Sequence, residues 1–448
     1  MCIIFHPKIF LIIIFLLFYN NLKKYSIINK KNIISNGSMN NNLTINNINP
    51  IKVAYYCHAN IFGGIARVIS LLINYLSKEK YFIHYLINDV RVLKNEYPLP
   101  STTKRIILSE KNKTLFDVIE SEKIDILIYN FMDKDVIERL NRLNNLKIIY
   151  YDHSIFLAWI YENIYDFKKT VYDSYKNCNY VLSLIPLENN YLFKKWGINS
   201  ILIQNLVTYE YNLIKPSNLI MKNIIMLGRA YASIKRYDLG IKAMQLIIKE
   251  IPESKMFIIS SSYNKLNKLI KNLNLEKNVL FSGYQKNPEN YLKNASLHIL
   301  CSLFESYSLA LAETKIFGIP SILCGLDYLI LAKGGTVIIY DDNPITLAEE
   351  AIKILKNYTY RKILGTEARR SMKKYKNEII IKKWVKLLLS VYKNDDEGYH
   401  QLVLENNKEK ITEYEAEKIL SNQLDLLKKR NPTFKNISLE KLKYFSLT

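Results

Sequence analysis

The sequence predicts an α/β protein of two Rossmann-like, doubly wound domains that face a central cleft. Three observations carry that expectation. The chain has 448 residues, and because single hydrophobic cores stop growing near ~250 residues, two cores are expected. From Ile51 onward short apolar runs alternate with helical patterns, the sequence form of a parallel sheet with crossover helices. The same alternation then runs a second time, after a seam near Tyr209 to Met221. Two such domains side by side leave a cleft between the carboxyl ends of their strands, which is where ligand binds in folds of this kind.

The first fifty residues precede that alternation. Ile9 to Tyr19 is an unbroken apolar run, separated from a weaker patch at Cys2 to Phe5 by His6, Pro7 and Lys8. Its length suits a signal core or a short anchor better than a full span of ~20 residues. No small-residue cleavage site follows, so a retained anchor is the expectation. Lys23, Lys24, Lys30 and Lys31 outnumber Lys8 on the other side, which places the main body in the cytoplasm by the positive-inside rule. Ser35 to Asn49 is rich in Asn and reads as a disordered linker.

The first domain is expected over residues 51–215. Its strands read as Lys52 to Cys57, Tyr81 to Ile87, Ile124 to Tyr129, Lys147 to Tyr151, Tyr180 to Leu184 and Ile201 to Ile203, with helices at Ile65 to Leu76, Val136 to Leu143 and Leu187 to Lys195. The second is expected over residues 216–380, with strands at Ile224 to Leu227, Lys255 to Ser260, Asn278 to Phe281, Leu297 to Cys301, Ser321 to Leu323 and Thr336 to Tyr340. Helices fall at Asp238 to Glu250, Lys265 to Leu273, Glu289 to Ala295, Ser308 to Phe317 and Ile345 to Leu355. A helix over residues 381–394 packs back across the domains. The charged tail, 395–448, reads as a largely solvated appendage in which Ile411 to Leu427 can form an amphipathic helix.

Composition narrows the function classes. With 49% hydrophobic and 12% aromatic residues the chain folds. Its net charge of +22 invites a nucleic-acid partner, but Lys far outnumbers Arg, and base-edge reading favours the Arg fork. No zinc-finger spacing, RNP-like aromatic motif or dense basic stripe is present, so nucleic acid is set aside. The five cysteines, Cys2, Cys57, Cys178, Cys301 and Cys324, are widely spaced and read as reduced core residues. The six histidines are scattered, with no pairing that suggests a protein metal cage.

The most informative run is FESYSLALAETKIFGIP, residues 304–320, which reads as a loop followed by a helix from about Ser308 that Gly318 and Pro320 end. A helix N-terminus exposes backbone N–H groups and the positive end of the dipole, so phosphate is its natural ligand. The amides of Tyr307, Ser308 and Leu309 would be the donors. Glu305 stands just before the helix, and Glu313, about two turns in, could hold a ribose by its hydroxyls. The same spacing also fits a solvated loop acid and a surface helix residue.

Other strand ends offer partners. Gly63 and Gly64 follow the first strand and open the first helix, where glycine lets a ligand approach the backbone, although a plain turn uses the same pair. Arg229 and Lys235 follow the first strand of the second domain, and cations there can neutralise charge on a departing diphosphate. Arg236 reads as an exposed neighbour. His153 follows the strand KIIYYD and can hydrogen-bond a sugar hydroxyl near the reacting carbon, with Asp152 as an alternative for that role. Asp133 and Asp135 resemble a metal-holding pair, but Asp at the start of VIERLNRL is better read as a helix cap.

Together these positions resemble the retaining glycosyltransferases of family 4, the "group 1" set with the GT-B fold, over about residues 52–392 and most strongly from Asn223 to Leu355. The family's Glu-x7-Glu motif matches Glu305 and Glu313. Its Gly-Arg and following Lys match Gly228, Arg229 and Lys235, and its glycine loop matches Gly63 and Gly64. Its cleft histidine is similar to His153, and the Asn before its interdomain linker to Asn205.

The resemblance implies that Arg229 and Lys235 bind the donor diphosphate and Glu313 the ribose. Glu305, with the amides of Tyr307 to Leu309, meets the sugar and phosphates. It implies hexosyl transfer from a UDP- or GDP-sugar to a carbohydrate or lipid-linked acceptor, with retention and with neither cofactor nor divalent metal. Tyr307 and Ser308 depart from the family's usual residues after the first Glu, and the interval from Arg229 to Lys235 is one residue longer than the commonest form. The alternatives are an epimerase or phosphorylase on a similar scaffold, or an inactive binding protein.

Overall fold

The first domain owes its shape to a run of strands that are apolar on both faces, as sheets covered by helices on each side must be. The structure is a computed structural model and describes residues 49–60, 63–92, 96–162, 171–229, 233–406, 411–431, 434–435 and 438–440. The apolar run at 9–19 and nearly all of the Asn-rich segment lie outside the described residues. Seven parallel strands form the first sheet: β1 (Ile51–Tyr56), β2 (Phe82–Asn88), β3 (Lys104–Ile107), β4 (Ile126–Tyr129), β5 (Lys147–Tyr151), β6 (Tyr180–Ser183) and β7 (Ser200–Leu202). Their spatial order is β3-β2-β1-β4-β5-β6-β7, so the chain reverses direction across the sheet between β1 and β4.

The second sheet repeats the plan with β8 (Asn223–Leu227), β9 (Lys255–Ile259), β10 (Val279–Phe281), β11 (Leu297–Leu300), β12 (Ser321–Cys324) and β13 (Thr336–Ile339). Its order is β10-β9-β8-β11-β12-β13, with the reversal between β8 and β11. Ligands of doubly wound sheets bind beyond the carboxyl ends at such a reversal. Both sheets belong to one unit, Asn49–Thr448.

The helices that matter for the site are α1 (Gly64–Leu76), α2 (Leu115–Glu122), α3 (Lys134–Leu140), α4 (Phe156–Glu162), α5 (Tyr237–Glu250), α6 (Leu309–Ile316), α7 (Pro344–Lys356), α8 (Tyr358–Ser371), α9 (Asn377–Lys393) and α10 (Glu413–Arg430). Asp133 caps α3 by accepting from Val136 N at 3.1 Å, as the sequence suggested. α9 begins at the linker, where Asn377 accepts from Val207 N at 3.0 Å and donates to Tyr75 Oη at 3.0 Å. It then lays the buried Trp384 edge-on against Tyr151 of β5.

Several elements depart from the expectation, α4 among them. β3 and α2 were absent from it; the strand is four residues long and opens on Lys104 and Arg105 at the sheet edge, leaving only Ile106 and Ile107 to mark it. α8 was also unexpected, because its buried face includes a guanidinium: Arg361, 1% exposed, donates to Leu219 O at 2.9 Å and to Ile354 O at 3.0 Å. The tail is not a solvated appendage. α10 buries Ala416, Leu420, Gln423, Leu424, Leu426 and Leu427, although Tyr414 of the expected apolar stripe is exposed.

α10 touches both domains. Gln423 donates to Gly325 O at 2.7 Å and to Asp327 at 2.9 Å in the second. Glu417 accepts from Tyr191 Oη at 3.0 Å and Glu413 pairs with Lys195 at 2.9 Å in the first.

Candidate active site

The site begins where β8 ends. Gly228 has φ 135°, and a Cβ on it would stand 3.2 Å from Tyr237 Oη and 3.4 Å from Lys235 Cε. Glycine there lets the following turn fold back over the strand end. Lys235, closing the short 3-10 turn Ser233–Lys235, reaches Glu305 Oε1 at 2.5 Å. Ser302 Oγ donates to the same oxygen at 2.7 Å, and Glu305 N donates to Tyr328 Oη at 3.0 Å.

Lys235 and Ser302 thus hold the carboxylate at the ends of β8 and β11, and Tyr328 holds the backbone that carries it. Its side chain is 11% exposed and that of Lys235 24%, a depth at which an ion pair is screened less than at the surface.

Arg229 is exposed in the same loop. Arg236 is not the exposed neighbour it was taken for. Its side chain pairs with Asp342 at 2.6 Å, and Asp342 in turn meets Arg430 of α10 at 3.0 Å. The two guanidiniums together hold that carboxyl below its usual range, against the effect of burial.

α6 begins at Leu309, one residue later than expected, behind Ser308 at φ 60°. The Ser308 hydroxyl accepts from Leu311 N at 3.4 Å and so serves as the cap. The Tyr307 side chain is fully buried. Neither side chain therefore reaches outward, and what Tyr307, Ser308 and Leu309 can offer a ligand is their backbone. Glu313 is 2% exposed, not a surface helix residue. It accepts from Arg67 Nη2 of α1, and Thr208 of the linker also bonds to it. Burial pushes its carboxyl above the usual value, and Arg67 opposes the rise.

Gly63, at φ 150°, turns the chain into α1. Nothing lies within 4 Å of where a Cβ on Gly64 would stand, so the backbone there is open to close approach. Arg67 lies one turn further on.

His153 comes to the same region from the first domain: Ser306, next to Glu305, donates its hydroxyl to His153 O at 2.7 Å. The His153 ring lies against Tyr151, with centroids 4.0 Å apart. Tyr151 Oη donates to the buried Asn205 Oδ1. Burial pushes the His153 imidazole down to about 3, so it is neutral near pH 7. Its Nε2 has no hydrogen-bond partner among the described residues.

Asp152 turns the other way. Its carboxyl, fully buried, accepts from Tyr175 Oη at 2.6 Å and Ser154 N at 3.0 Å, inside the first domain. It does not share the role considered for His153.

An aromatic contact closes the far side. Phe304, the residue before Glu305, packs on Tyr161 of α4 at 5.3 Å, and Tyr161 stacks on Phe434 of the tail at 5.5 Å and 3°. Sequence reasoning missed Arg67, Thr208, Tyr328 and this stack. Only Arg67 had a local signal, as the cation one turn after a Gly-Gly pair. Among the described residues no group of three or more His, Cys, Asp or Glu side chains gathers as metal ligands, and no helix is long and apolar enough to cross a membrane.

Known proteins resemble this chain in sequence and in fold. Residues 214–375 match the family described as glycosyl transferases group 1. Over 159 residues the chain is 30% identical to poly(glycerol-phosphate) alpha-glucosyltransferase of Bacillus subtilis, covering 34% of this chain and 24% of that one. Over 362 residues it is 24% identical to an alpha-1,4-N-acetyl-D-galactosaminyltransferase of Campylobacter jejuni that the name places on an undecaprenol-diphosphate-linked GalNAc chain, covering 76% and 99%. The chain spans less than half the length of the first curated relatives it matches. Sucrose-phosphate synthase from Thermosynechococcus elongatus superposes with a TM-score of 0.62 at 16% identity, over 77% of this chain and all of that one. The architecture is the GT-B fold.

Proposed function

Since residues 214–375 belong to the group 1 glycosyl transferases and the chain adopts the GT-B fold, we propose that the protein is a retaining glycosyltransferase. It moves a hexose from a UDP- or GDP-sugar to a hydroxyl of a glycan or lipid-linked acceptor. The observation that carries this reading is the convergence of Lys235 and Glu305, 2.5 Å apart, with the start of α6 at the ends of β8 and β11. A cation, a carboxylate and a helix N-terminus in one place suit a sugar diphosphate.

In the proposed reaction the donor's diphosphate lies at the amides of Ser308 and Leu309, with Lys235 and Arg229 taking up the negative charge that grows as the anomeric C–O bond breaks. Those cations do the work that a divalent metal does elsewhere, so no metal is required. The acceptor oxygen bonds to the anomeric carbon on the face the diphosphate leaves, and its proton passes to a departing phosphate oxygen. Glu305 orients the sugar, while the neutral His153 offers Nε2 to a sugar hydroxyl. Glu313 binds the ribose. The apolar run at residues 9–19 tethers the enzyme where a lipid-linked acceptor is presented.

Thermal shifts with UDP, GDP and their sugars test the donor site. A nucleotide at about 100 times its dissociation constant adds ~2.7 kcal/mol, and the melting temperature is expected to rise by several degrees for one base. Product analysis by NMR should then show the donor's anomeric configuration kept, without added metal. Turnover that survives intact in Glu305→Gln would defeat the reading. Product formed without acceptor would instead mark an epimerase, and dependence on free phosphate a phosphorylase.

A further inference from the structure

Arg67 ties the two domains together at the carboxylate assigned above to the ribose. Its Nε donates to Thr208 Oγ1 at 2.8 Å, and its Nη2 donates to Glu313 Oε1. One guanidinium thus spans α1 of the first domain, the interdomain linker and α6 of the second. The Glu313 side chain is 3% exposed and that of Arg67 21%. A buried ion pair is a poor source of stability, because desolvation offsets most of the attraction. Its presence here, one turn after the open backbone of Gly64, asks for another account.

We propose that Arg67 is a positioning residue of the donor site, holding Glu313 aimed so that its carboxylate can take the two ribose hydroxyls of the nucleotide. The site is then complete only when the first domain is docked on the second. This rests on the functional reading above and extends it, because a group from the domain opposite the nucleotide becomes part of nucleotide recognition. A carboxylate has about four lone-pair sites, so Arg67 and Thr208 leave room for vicinal hydroxyls. Burial alone would favour the protonated acid, a poorer acceptor, and the guanidinium counters that. Arg suits the task better than Lys, since its planar fork reaches Thr208 and Glu313 at once.

The test is a thermodynamic cycle read by calorimetry on the full chain. UDP and GDP are each compared with their 2′,3′-dideoxy counterparts, in the wild type and in Arg67→Gln. In the wild type, loss of the hydroxyls should weaken binding by about 10-fold or more, as expected for hydrogen bonds to a charged group. In Arg67→Gln the ribonucleotide should weaken by a similar factor while the dideoxy form stays within about 3-fold of its wild-type value, so the ratio collapses. The unchanged dideoxy affinity reports that the fold is intact. Arg67→Lys, which keeps a charge, should restore part of the ratio, and it decides the matter if the Gln variant does not fold.

Ribonucleotide binding in Arg67→Gln that equals or exceeds the wild type would overturn the inference, the tighter outcome marking Arg67 as a competitor for the ribose place. An undiminished ratio would overturn it too. If the wild type binds neither diphosphate, the donor-site reading falls and this one with it; if the wild type discriminates and the variant does so equally, only the role of Arg67 is lost.

Discussion

In the second domain Glu305 and Glu313 each meet a cation, Lys235 and Arg67. In the first domain Asp152 and Glu188, both fully buried, meet only hydroxyls and amides among the described residues. Glu188 accepts from Phe156 N at 2.8 Å and Ser183 Oγ at 3.1 Å, and Asp152 from Tyr175 and Ser154. All four acids sit near the carboxyl ends of strands, so position alone does not separate them. Charge balance does. Burial pushes Glu188 well above the usual carboxyl range, with the nearby Asp152 adding to the rise, and it lifts Asp152 to about 6. Acids that meet hydroxyls and amides suit internal scaffolding, whereas an acid held beside a cation is aimed at a place where a ligand can use both.

Breaking the Lys235–Glu305 pair should have the largest effect. Lys235→Ala is expected to lower kcat by about 10²–10³, the usual loss when one donor to developing charge is removed, with little change in melting temperature, since the side chains are partly solvated. Steady-state rates and a thermal melt check both halves of that statement. If Lys235→Ala unfolds the protein instead, the distinction between the two acid sets is lost.

The opposite profile is expected at Glu188. Glu188→Ala leaves the Phe156 N–H without its acceptor, while the Ser183 hydroxyl keeps Ile185 O at 3.3 Å, and opens a cavity, for a cost of about 2–4 kcal/mol. Denaturant titration should show this as an earlier midpoint. The nucleotide dissociation constant of the folded fraction should not move, and a weakened one would join Glu188 to the donor site.

The contrast between the domains also marks what the sequence could reveal. Strands such as IKVAYY and NIIML carry their burial in their composition, so the two sheets were legible without any contact information. Glu305, Lys235, Gly63 and Gly64 were legible because each stands at a strand end with its own local cue. The partners of those residues were not. Arg67 and Glu313 are 246 positions apart, and Ser306 and His153 are 153 apart; both contacts depend on how the two domains dock, which no local pattern encodes. α8 was hidden because its interior places Arg361 and Gly365 where an apolar stripe is expected, and the guanidinium is satisfied in part by the carbonyl of Leu219, 142 positions away. The tail was misread for a related reason: its charged stretches are local, while Leu420, Leu424 and Leu427 meet a surface supplied by other parts of the chain.

A milder effect should follow at Asp152, and it is a pH effect. The folded carboxyl titrates at about 6, above the value of about 3.9 for an unfolded Asp. Between those values the folded state binds more protons than the unfolded one, so the group's contribution to stability falls as pH rises from about 4 through 6. Asp152→Asn keeps an acceptor for Tyr175 while removing the titration. Its unfolding midpoint should drift less over that range than the wild type's. Parallel slopes would place the acid load of the first domain elsewhere.

The smallest effect tests whether pairing or burial is the operative difference. Glu413 of α10 pairs with Lys195 at 2.9 Å, but its side chain is 66% exposed. An ion pair so exposed gains little Coulomb energy in high dielectric and loses side-chain entropy, so Glu413→Gln should cost about 0.2–1 kcal/mol and less in high salt. The helix keeps its Thr412 cap, which binds Glu415 and not Glu413. A near-silent substitution here, beside a large loss of turnover at Lys235, would separate an ion pair that serves the site from one that merely decorates the surface. A cost of several kcal/mol at Glu413 would mean instead that the tail is held to the first domain mainly by charge, and that the buried residues of α10 do less to anchor it than their packing implies.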